Sequence, residues 1–243
     1  MTKEIQFKQI VLVTDGESNL GLNPIKVSED GNKRGITIST IGITSDLERE
    51  ESITEIKSIA EAGGGIWEHT NIKDLDTTMS MVTMKSVYKT IEEAVNKELK
   101  NIVGTELEEM HPSSRKKITD LIDKLGDEVN IECCVVIDCS GSMKDKIDIA
   151  KSSVLNLLRI LNSRKGKTEI SVIGYPYSKA EAYKVLCGFT ENIIDLEKGL
   201  QKIQIGGQTP TGTALKGAIE LLTEDIEYNI DEFEEGILQS SIV

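Results

Sequence analysis

The sequence predicts a doubly wound α/β fold, in which helices cover both faces of a mostly parallel central sheet. Two nearly continuous apolar runs, QIVLVT (9–14) and ECCVVID (132–138), are typical of parallel strands that are buried on both faces. Segments with apolar residues at helical spacing alternate with the predicted strands. The strictly alternating segment 182–190 predicts one antiparallel strand at an edge of the sheet.

The first half of the chain is predicted to hold three strands and two helices. Ile53, Ile56 and Ile59 lie at helical spacing before a Gly-rich stop, and a long apolar stripe marks the second helix. The polar stretch between the first two strands is predicted to be a loop. In order, the predicted elements are strand 9–16, strand 35–44, helix 51–65, strand 65–70 and helix 74–103.

The second half is predicted to begin with a capped amphipathic helix that ends at Gly126. Tyr183, Val185, Cys187 and Phe189 are expected to lie on one face of the antiparallel edge strand. From Glu224 onward the acidic end of the chain is predicted to be frayed or disordered. In order, the predicted elements are helix 113–128, strand 132–140, a helix from about 147, strands 167–175 and 182–190, helix 192–203, loop 206–213 and helix 214–222.

The composition argues against two classes of partner. The 243 residues carry a formal net charge of −13 without a run of Lys or Arg, so nucleic acid and anionic membrane surfaces are not expected to bind. No apolar stretch approaches the ~18 residues of a membrane span, and the charged start MTKEIQFKQI does not resemble a signal peptide. We therefore expect a cytoplasmic protein.

The four cysteines are predicted to be reduced thiols. Cys133 and Cys134 are adjacent in one strand and therefore face opposite sides of the sheet, while Cys139 and Cys187 lie elsewhere. There is no CxxC motif, and the sequence contains two histidines, so a zinc site is not expected.

Three loops rich in oxygen ligands are predicted at the carboxyl ends of strands or close to them. They are Asp138-x-Ser140-x-Ser142, Gly207-Gln208-Thr209-Pro210 and Thr14-Asp15-Gly16. Ligands of doubly wound folds bind at the carboxyl ends of the central strands. Carboxylate and hydroxyl oxygens are ligands for hard cations, and Mg²⁺ keeps several waters where few carboxylates are present. The sequence therefore predicts a cation site built from distant parts of the chain.

These loops resemble the metal-ion-dependent adhesion site of von Willebrand factor A (vWA) domains. Asp138, Ser140 and Ser142 match the family's DxSxS loop, Asp15 matches the Asp of its TDG loop, and Thr209 matches its Thr loop, with Thr211 as the alternative. The resemblance implies Mg²⁺ or Mn²⁺ at these residues, with the hydroxyls as direct ligands and the two Asp acting partly through water. It also implies protein–protein recognition, in which a partner's Asp or Glu completes the metal shell.

The order of the loops differs from that of the family, because the TDG loop comes first. The resemblance therefore implies one circularly permuted domain over 1–225, with 1–104 as the usual second half, 105–130 as a joining segment and 131–225 as the usual first half. Residues 226–243 are the acidic tail. The chain is similar to short permuted vWA proteins of spore-forming bacteria, which implies a sporulation role. We also expect a monomer. The alternative is two half-domains, which would need domain swapping to fold.

The same residues are compatible with other functions. A metal-dependent phosphohydrolase could use Asp138, but Lys144 and Lys146 are predicted on a solvated helix face, so no basic residue would clamp a phosphoryl group. The segment from Gly207 to Thr213 has the glycine spacing of a phosphate-binding loop without its Lys. We therefore expect a protein that is not an enzyme, and a scaffold with a vestigial site is the third possibility.

Overall fold

The computed structural model describes residues 6–16, 18–44, 50–178 and 180–223. Six strands in these ranges form one sheet in the order β3-β2-β1-β4-β5-β6. The acidic tail predicted at 226–243 lies outside the described residues. The strands are β1 (Gln6–Thr14), β2 (Ile36–Thr44), β3 (Gly64–Asn71), β4 (Asn130–Asp138), β5 (Thr168–Tyr175) and β6 (Lys184–Thr190).

Seven α-helices accompany the strands in the described ranges, and six of them were predicted. None of them is both long enough and apolar enough to cross a membrane. The long helix and the capped helix that follows it lie close to their predicted bounds. The helices are α1 (Pro24–Lys33), α2 (Glu50–Ala62), α3 (Leu75–Ile102), α4 (Pro112–Glu128), α5 (Ile147–Leu161), α6 (Ile193–Leu200) and α7 (Thr211–Thr223).

The helix α1 corrects the prediction of a polar loop between the first two strands. It has the start signals of a helix, because Pro24 occupies its first turn and the Asn23 side chain accepts a hydrogen bond from the Lys26 N–H at 3.1 Å. Few of its ten residues are apolar. Gly31 is buried at close packing distance from Ile38 and Ile219, so contacts with β2 and α7 compensate for the weak helical pattern.

The predicted fold class is confirmed. The first five strands in the order from β3 to β5 run parallel, and β6 pairs with β5 antiparallel at the edge. From β1 the chain crosses to β2 on one side, whereas from β4 it crosses to β5 on the other. The boundary between β1 and β4 is therefore the topological switch point, where doubly wound folds place their ligands.

Two apolar cores cover the sheet, one on each face. Cys133 belongs to the core beneath α3 and α5, and Cys134 belongs to the core beneath α7, as their adjacent positions predicted. All four cysteines are free thiols. Burial raises the pKa of the Cys134 thiol to about 12, which keeps this side chain protonated and chemically inert at neutral pH.

The edge strand β6 departs from the predicted alternation. Leu186 is its buried residue, whereas Val185 is 39% exposed. Tyr183 and Phe189 pack against one core, but Cys187 packs against the other. The pairing of β6 with β5 shifts register on both sides of Val172, so residues two apart do not remain on one face. The predicted single apolar face was therefore wrong.

Candidate metal site

The predicted ligands of the first and third loops meet at the switch point. β1 and β4 are parallel neighbours with Val13 opposite Ile137, so Thr14 and Asp138 end the two strands side by side. The Thr14 hydroxyl donates a hydrogen bond to Asp138 Oδ2 at 2.7 Å, although the two residues are 124 positions apart. The pairing of these strands thus brings residues from the first and second halves of the sequence together within one chain.

Asp138 is a fully buried carboxylate that is held from two sides. Thr14 binds Oδ2, and the backbone N–H of Ser140 donates to Oδ1 at 2.8 Å. Within the described residues, no Lys, Arg or His nitrogen lies within ion-pair distance of this carboxylate. Asp138 is therefore a buried negative charge with hydrogen bonds but without a cation, which is an energetically costly arrangement.

The surroundings of Asp138 change its acidity. Burial raises the pKa of its carboxyl group from 3.8 to about 6, and the negative charge of Asp15 adds to the increase. Hydrogen bonds from Thr14 and Ser140 oppose it. At neutral pH the group is still mainly ionised, so the site holds a negative charge that a bound cation would stabilise.

The two serines connect Asp138 to Asp15. A 3₁₀ turn at Gly141–Met143 follows β4 and places the Ser140 and Ser142 hydroxyl oxygens 3.0 Å apart. The Ser142 hydroxyl donates to Asp15 Oδ1 at 2.7 Å. Four of the five predicted ligands therefore form one continuous cluster of oxygen atoms, and the cluster joins residues from both halves of the chain.

Lys146 corrects the prediction of a solvated lysine. Its ammonium group lies 2.6 Å from Asp15 Oδ2, and its side chain is only 17% exposed. The Asp15 side chain is 1% exposed. Lys146 immediately precedes α5 and bends back to the site, whereas Lys144 is exposed as predicted. The cluster thus ends in one internal cation, bound to Asp15 and not to Asp138.

Thr209 is buried in the loop that precedes α7, with 6% of its surface exposed. Its backbone N–H donates to Asn19 Oδ1 at 2.8 Å, and the Asn19 N–H donates to the Thr209 carbonyl at 3.2 Å. These two bonds attach the Thr loop to the loop that follows β1. In the described part of the chain, no hydrogen bond joins the Thr209 hydroxyl to the serines or aspartates.

Thr211 lies at the start of α7 and faces a different environment. It is 2% exposed and adjoins the buried phenol of Tyr175. Burial raises the pKa of Tyr175 well above its usual value, and Asp138 adds to this increase, whereas Thr211 and Thr14 oppose it. Thr211 is thus associated with the packing between β5 and α7.

The donor set fits a hard cation. Two carboxylates and the neighbouring hydroxyls supply only oxygen, which is the chemistry that Mg²⁺ and Mn²⁺ prefer. Among the described residues, no three His, Cys, Asp or Glu side chains converge as they would around zinc or calcium. A cation at this site would therefore depend on hydroxyls and water for much of its shell.

An uncharged groove of about 700 Å³ adjoins the Thr loop. Its described walls include Leu20, Tyr177, Ile205 and Pro210, and none of its lining residues carries a charge. The chain has a net charge of −13, but the lining of this groove adds no local charge that would repel an approaching carboxylate.

Three residues that form hydrogen bonds or an ion pair with the site residues were not among those predicted. Thr14 was noted only as part of its oxygen-rich loop, Asn19 was not singled out, and Lys146 was expected to point to solvent. The position of Thr14 beside Asp15 at a strand end was the available signal. The reach of Asn19 and Lys146 depends on how their loops fold, which spacing alone does not reveal.

Comparisons with known proteins agree with this architecture. Residues 133–230 match the model of the von Willebrand factor type A domain. The chain is 36% identical over 213 residues to the uncharacterized protein YabS of Bacillus subtilis (strain 168), covering 86% of each chain. It is also similar to the crystal structure of an uncharacterized protein from Alicyclobacillus acidocaldarius, with 32% identity, a TM-score of 0.84, and coverage of 91% of this chain and 95% of that one. This chain therefore belongs to the same family as YabS, and it contains a von Willebrand factor type A domain match over residues 133–230.

Proposed function

We propose that this protein recognises an acidic residue of a partner protein through Mg²⁺ or Mn²⁺ bound at the switch point. The metal ligands are Asp138, Ser140, Ser142, Thr209 and Asp15, acting directly or through water. vWA domains typically mediate metal-dependent protein interactions, which is the general function that this family supports. The specific ligands, the metal and the partner's chemistry are the proposal.

The observation that carries the proposal is the buried carboxylate of Asp138. It has two hydrogen-bond donors and no cation among the described residues, and its pKa is raised to about 6 by burial. A structural carboxylate at such a position would normally be paired. A bound cation beside Ser140 and Ser142 would offset this cost, and it explains why the sequence places a charge there.

A bound Mg²⁺ would supply a positive centre that an incoming carboxylate can enter. The chain's own residues prepare that position. Asp138 is oriented by Thr14 and by the Ser140 N–H, and Ser142 is oriented by Asp15. Asn19 fixes the Thr209 loop from the other half of the chain. The uncharged groove leaves room for apolar contact with the partner, and such contact adds affinity to a single metal-bridged carboxylate.

We further propose that the two halves form one circularly permuted domain. The parallel pairing of β1 with β4 supports this. The start of β1 also lies close to the end of α7, since the Lys8 ammonium donates to the Leu222 carbonyl at 2.9 Å and pairs with Glu132 at 3.6 Å. A fold tolerates circular permutation with little loss of stability when its chain ends lie close together. A monomer, a cytoplasmic location, a role in sporulation and the absence of enzymatic activity belong to the same proposal.

The test is binding to immobilised acidic peptides in the presence of Mg²⁺ and in the presence of EDTA. We expect peptides with a central Asp or Glu beside an apolar residue to bind only with the metal, and their Asn or Gln counterparts to lose binding. A generic phosphate ester should remain intact under the same conditions. Turnover that is lost in Asp138→Ala would instead favour the phosphohydrolase.

Two threonine variants are the matched controls for this experiment. Thr209→Val removes a proposed ligand and should weaken metal-dependent binding about tenfold or more. Thr211→Val removes the same hydroxyl two residues later, beside Tyr175, and should retain binding. If the Thr211 variant loses binding and the Thr209 variant keeps it, the assignment of Thr209 is wrong.

A further inference from the structure

Lys146 supplies a positive charge at the point where the proposed site would receive another. Its ammonium lies 2.6 Å from Asp15 Oδ2, while the other oxygen, Oδ1, accepts from Ser142. Asp15 is 1% exposed and Lys146 is 17% exposed, so water screens this pair only partly. Within the described residues, Lys146 is the only Lys or Arg that pairs with either aspartate of the site.

We propose that Lys146 is a tethered counter-ion that stabilises the metal-free site and lowers its affinity for the metal. The inference rests on the proposed metal site and assigns it a regulating residue. Without metal, the ammonium compensates the buried charge of Asp15, which lies near the site's other carboxylate, Asp138. With metal, the same ammonium lies one carboxylate group away from the hydroxyl ligand Ser142, and it repels the bound cation.

The two effects have opposite signs, which separates this role from ordinary structural support. Removing the charge should destabilise the metal-free protein, because it leaves a nearly buried carboxylate unpaired. The same change should strengthen metal binding, because like charges at this separation cost affinity. If Lys146 only held the loop in shape, its replacement would lower both the stability of the protein and its affinity for the metal.

The experiment compares the wild type with Lys146→Met, and with Lys146→Gln, which keeps a hydrogen-bond donor for Asp15. Calorimetric titration with Mg²⁺ should show about 3- to 30-fold tighter binding in both variants. Thermal unfolding in EDTA should show midpoints about 5 °C lower than in the wild type. Saturating Mg²⁺ should therefore raise the midpoint of each variant more than that of the wild type.

Lys144→Met is the matched control, because it removes the same formal charge from an exposed side chain in the same loop. It should change neither the affinity nor the metal-free midpoint appreciably. Lys146→Arg, which keeps the charge, should bind Mg²⁺ like the wild type.

Each outcome has a defined meaning. Equal or weaker Mg²⁺ binding by both charge-removing variants, with binding intact in the wild type, overturns the role of Lys146 and leaves the metal site in place. Failure of both variants to fold even with Mg²⁺ also overturns it, since the metal then cannot replace the lysine's charge. Absence of binding in the wild type and in all variants overturns the metal site itself, whereas binding gained only after removal of the charge supports both.

Discussion

Asp138→Asn should weaken metal binding strongly and still stabilise the metal-free protein at neutral pH. The folded state raises the pKa of Asp138 from 3.8 to about 6, so it favours the protonated form. The wild type therefore loses stability as the pH rises through this window, by up to about 3 kcal/mol for a shift of this size. The Asn variant has no charge to bury, and its amide can donate to the Thr14 hydroxyl, which already has the Gly16 carbonyl as an acceptor.

Urea unfolding of both proteins in EDTA at several pH values between 4 and 8 measures this effect. The Asn variant should be about 1–3 kcal/mol more stable above pH 6, and the difference should become small near pH 4, where the carboxyl group is protonated in the folded wild type. Mg²⁺ affinity should fall about 10- to 100-fold. Asp148→Asn is the control, since it removes the same formal charge from a side chain that is 92% exposed and should change the stability far less. Unchanged Mg²⁺ binding by Asp138→Asn would contradict the assignment of Asp138.

Gly212→Ala should destabilise the fold and weaken the metal site together. A Cβ atom at Gly212 would lie 2.1 Å from the Leu22 carbonyl oxygen and 3.0 Å from the Pro24 nitrogen. Both contacts are with backbone, so no side chain can rotate away to relieve them. The start of α7 must therefore move away from the start of α1. Because Thr209 lies three residues earlier, this movement displaces its loop from Asn19.

We expect a loss of about 1–3 kcal/mol in the free energy of unfolding, measured in urea, with weaker Mg²⁺ binding in the same protein. The higher helix propensity of Ala offsets only part of that loss. Gly188→Ala is the matched control in β6, because its Cβ would meet nothing within 4 Å, and it should stay within about 0.5 kcal/mol of the wild type. A Gly212 variant as stable as that control would show that the contact with Leu22 is not tight.

The fold was largely predictable from the sequence because its central strands are apolar on both faces. β1 and β4 each contain an unbroken apolar run, 10–13 and 133–137, and the stripe of α3 is long. The helix α1 was missed because its stability comes from the Asn23 cap and from packing of Gly31, neither of which produces a periodic apolar pattern. The alternation of β6 was misleading because register shifts in its pairing with β5 are not encoded in its own residues.

The site was predictable to the extent that its residues lie at strand ends. Asp138 ends β4 and Asp15 directly follows its parallel neighbour β1, and the DxSxS spacing places both serines on one turn. Lys146 could not be placed in this way, because a four-carbon side chain can reach either solvent or the nearest buried carboxylate. Its position reflects the charge balance of the folded site, which depends on Asp15 from 131 residues away. The role of Gly212 likewise appears only once Leu22 is folded against it.

The most direct test of the central claim is a calorimetric Mg²⁺ titration of the wild type and Asp15→Ala, with a mass measurement of each sample in solution. The account predicts a one-site isotherm for a monomeric wild type and its loss in the variant, because residues from opposite ends of one chain share the metal. Wild-type affinity in Asp15→Ala would contradict it, since the N-terminal half would then lie outside the site. A wild type that binds Mg²⁺ only as a dimer would contradict the single permuted domain.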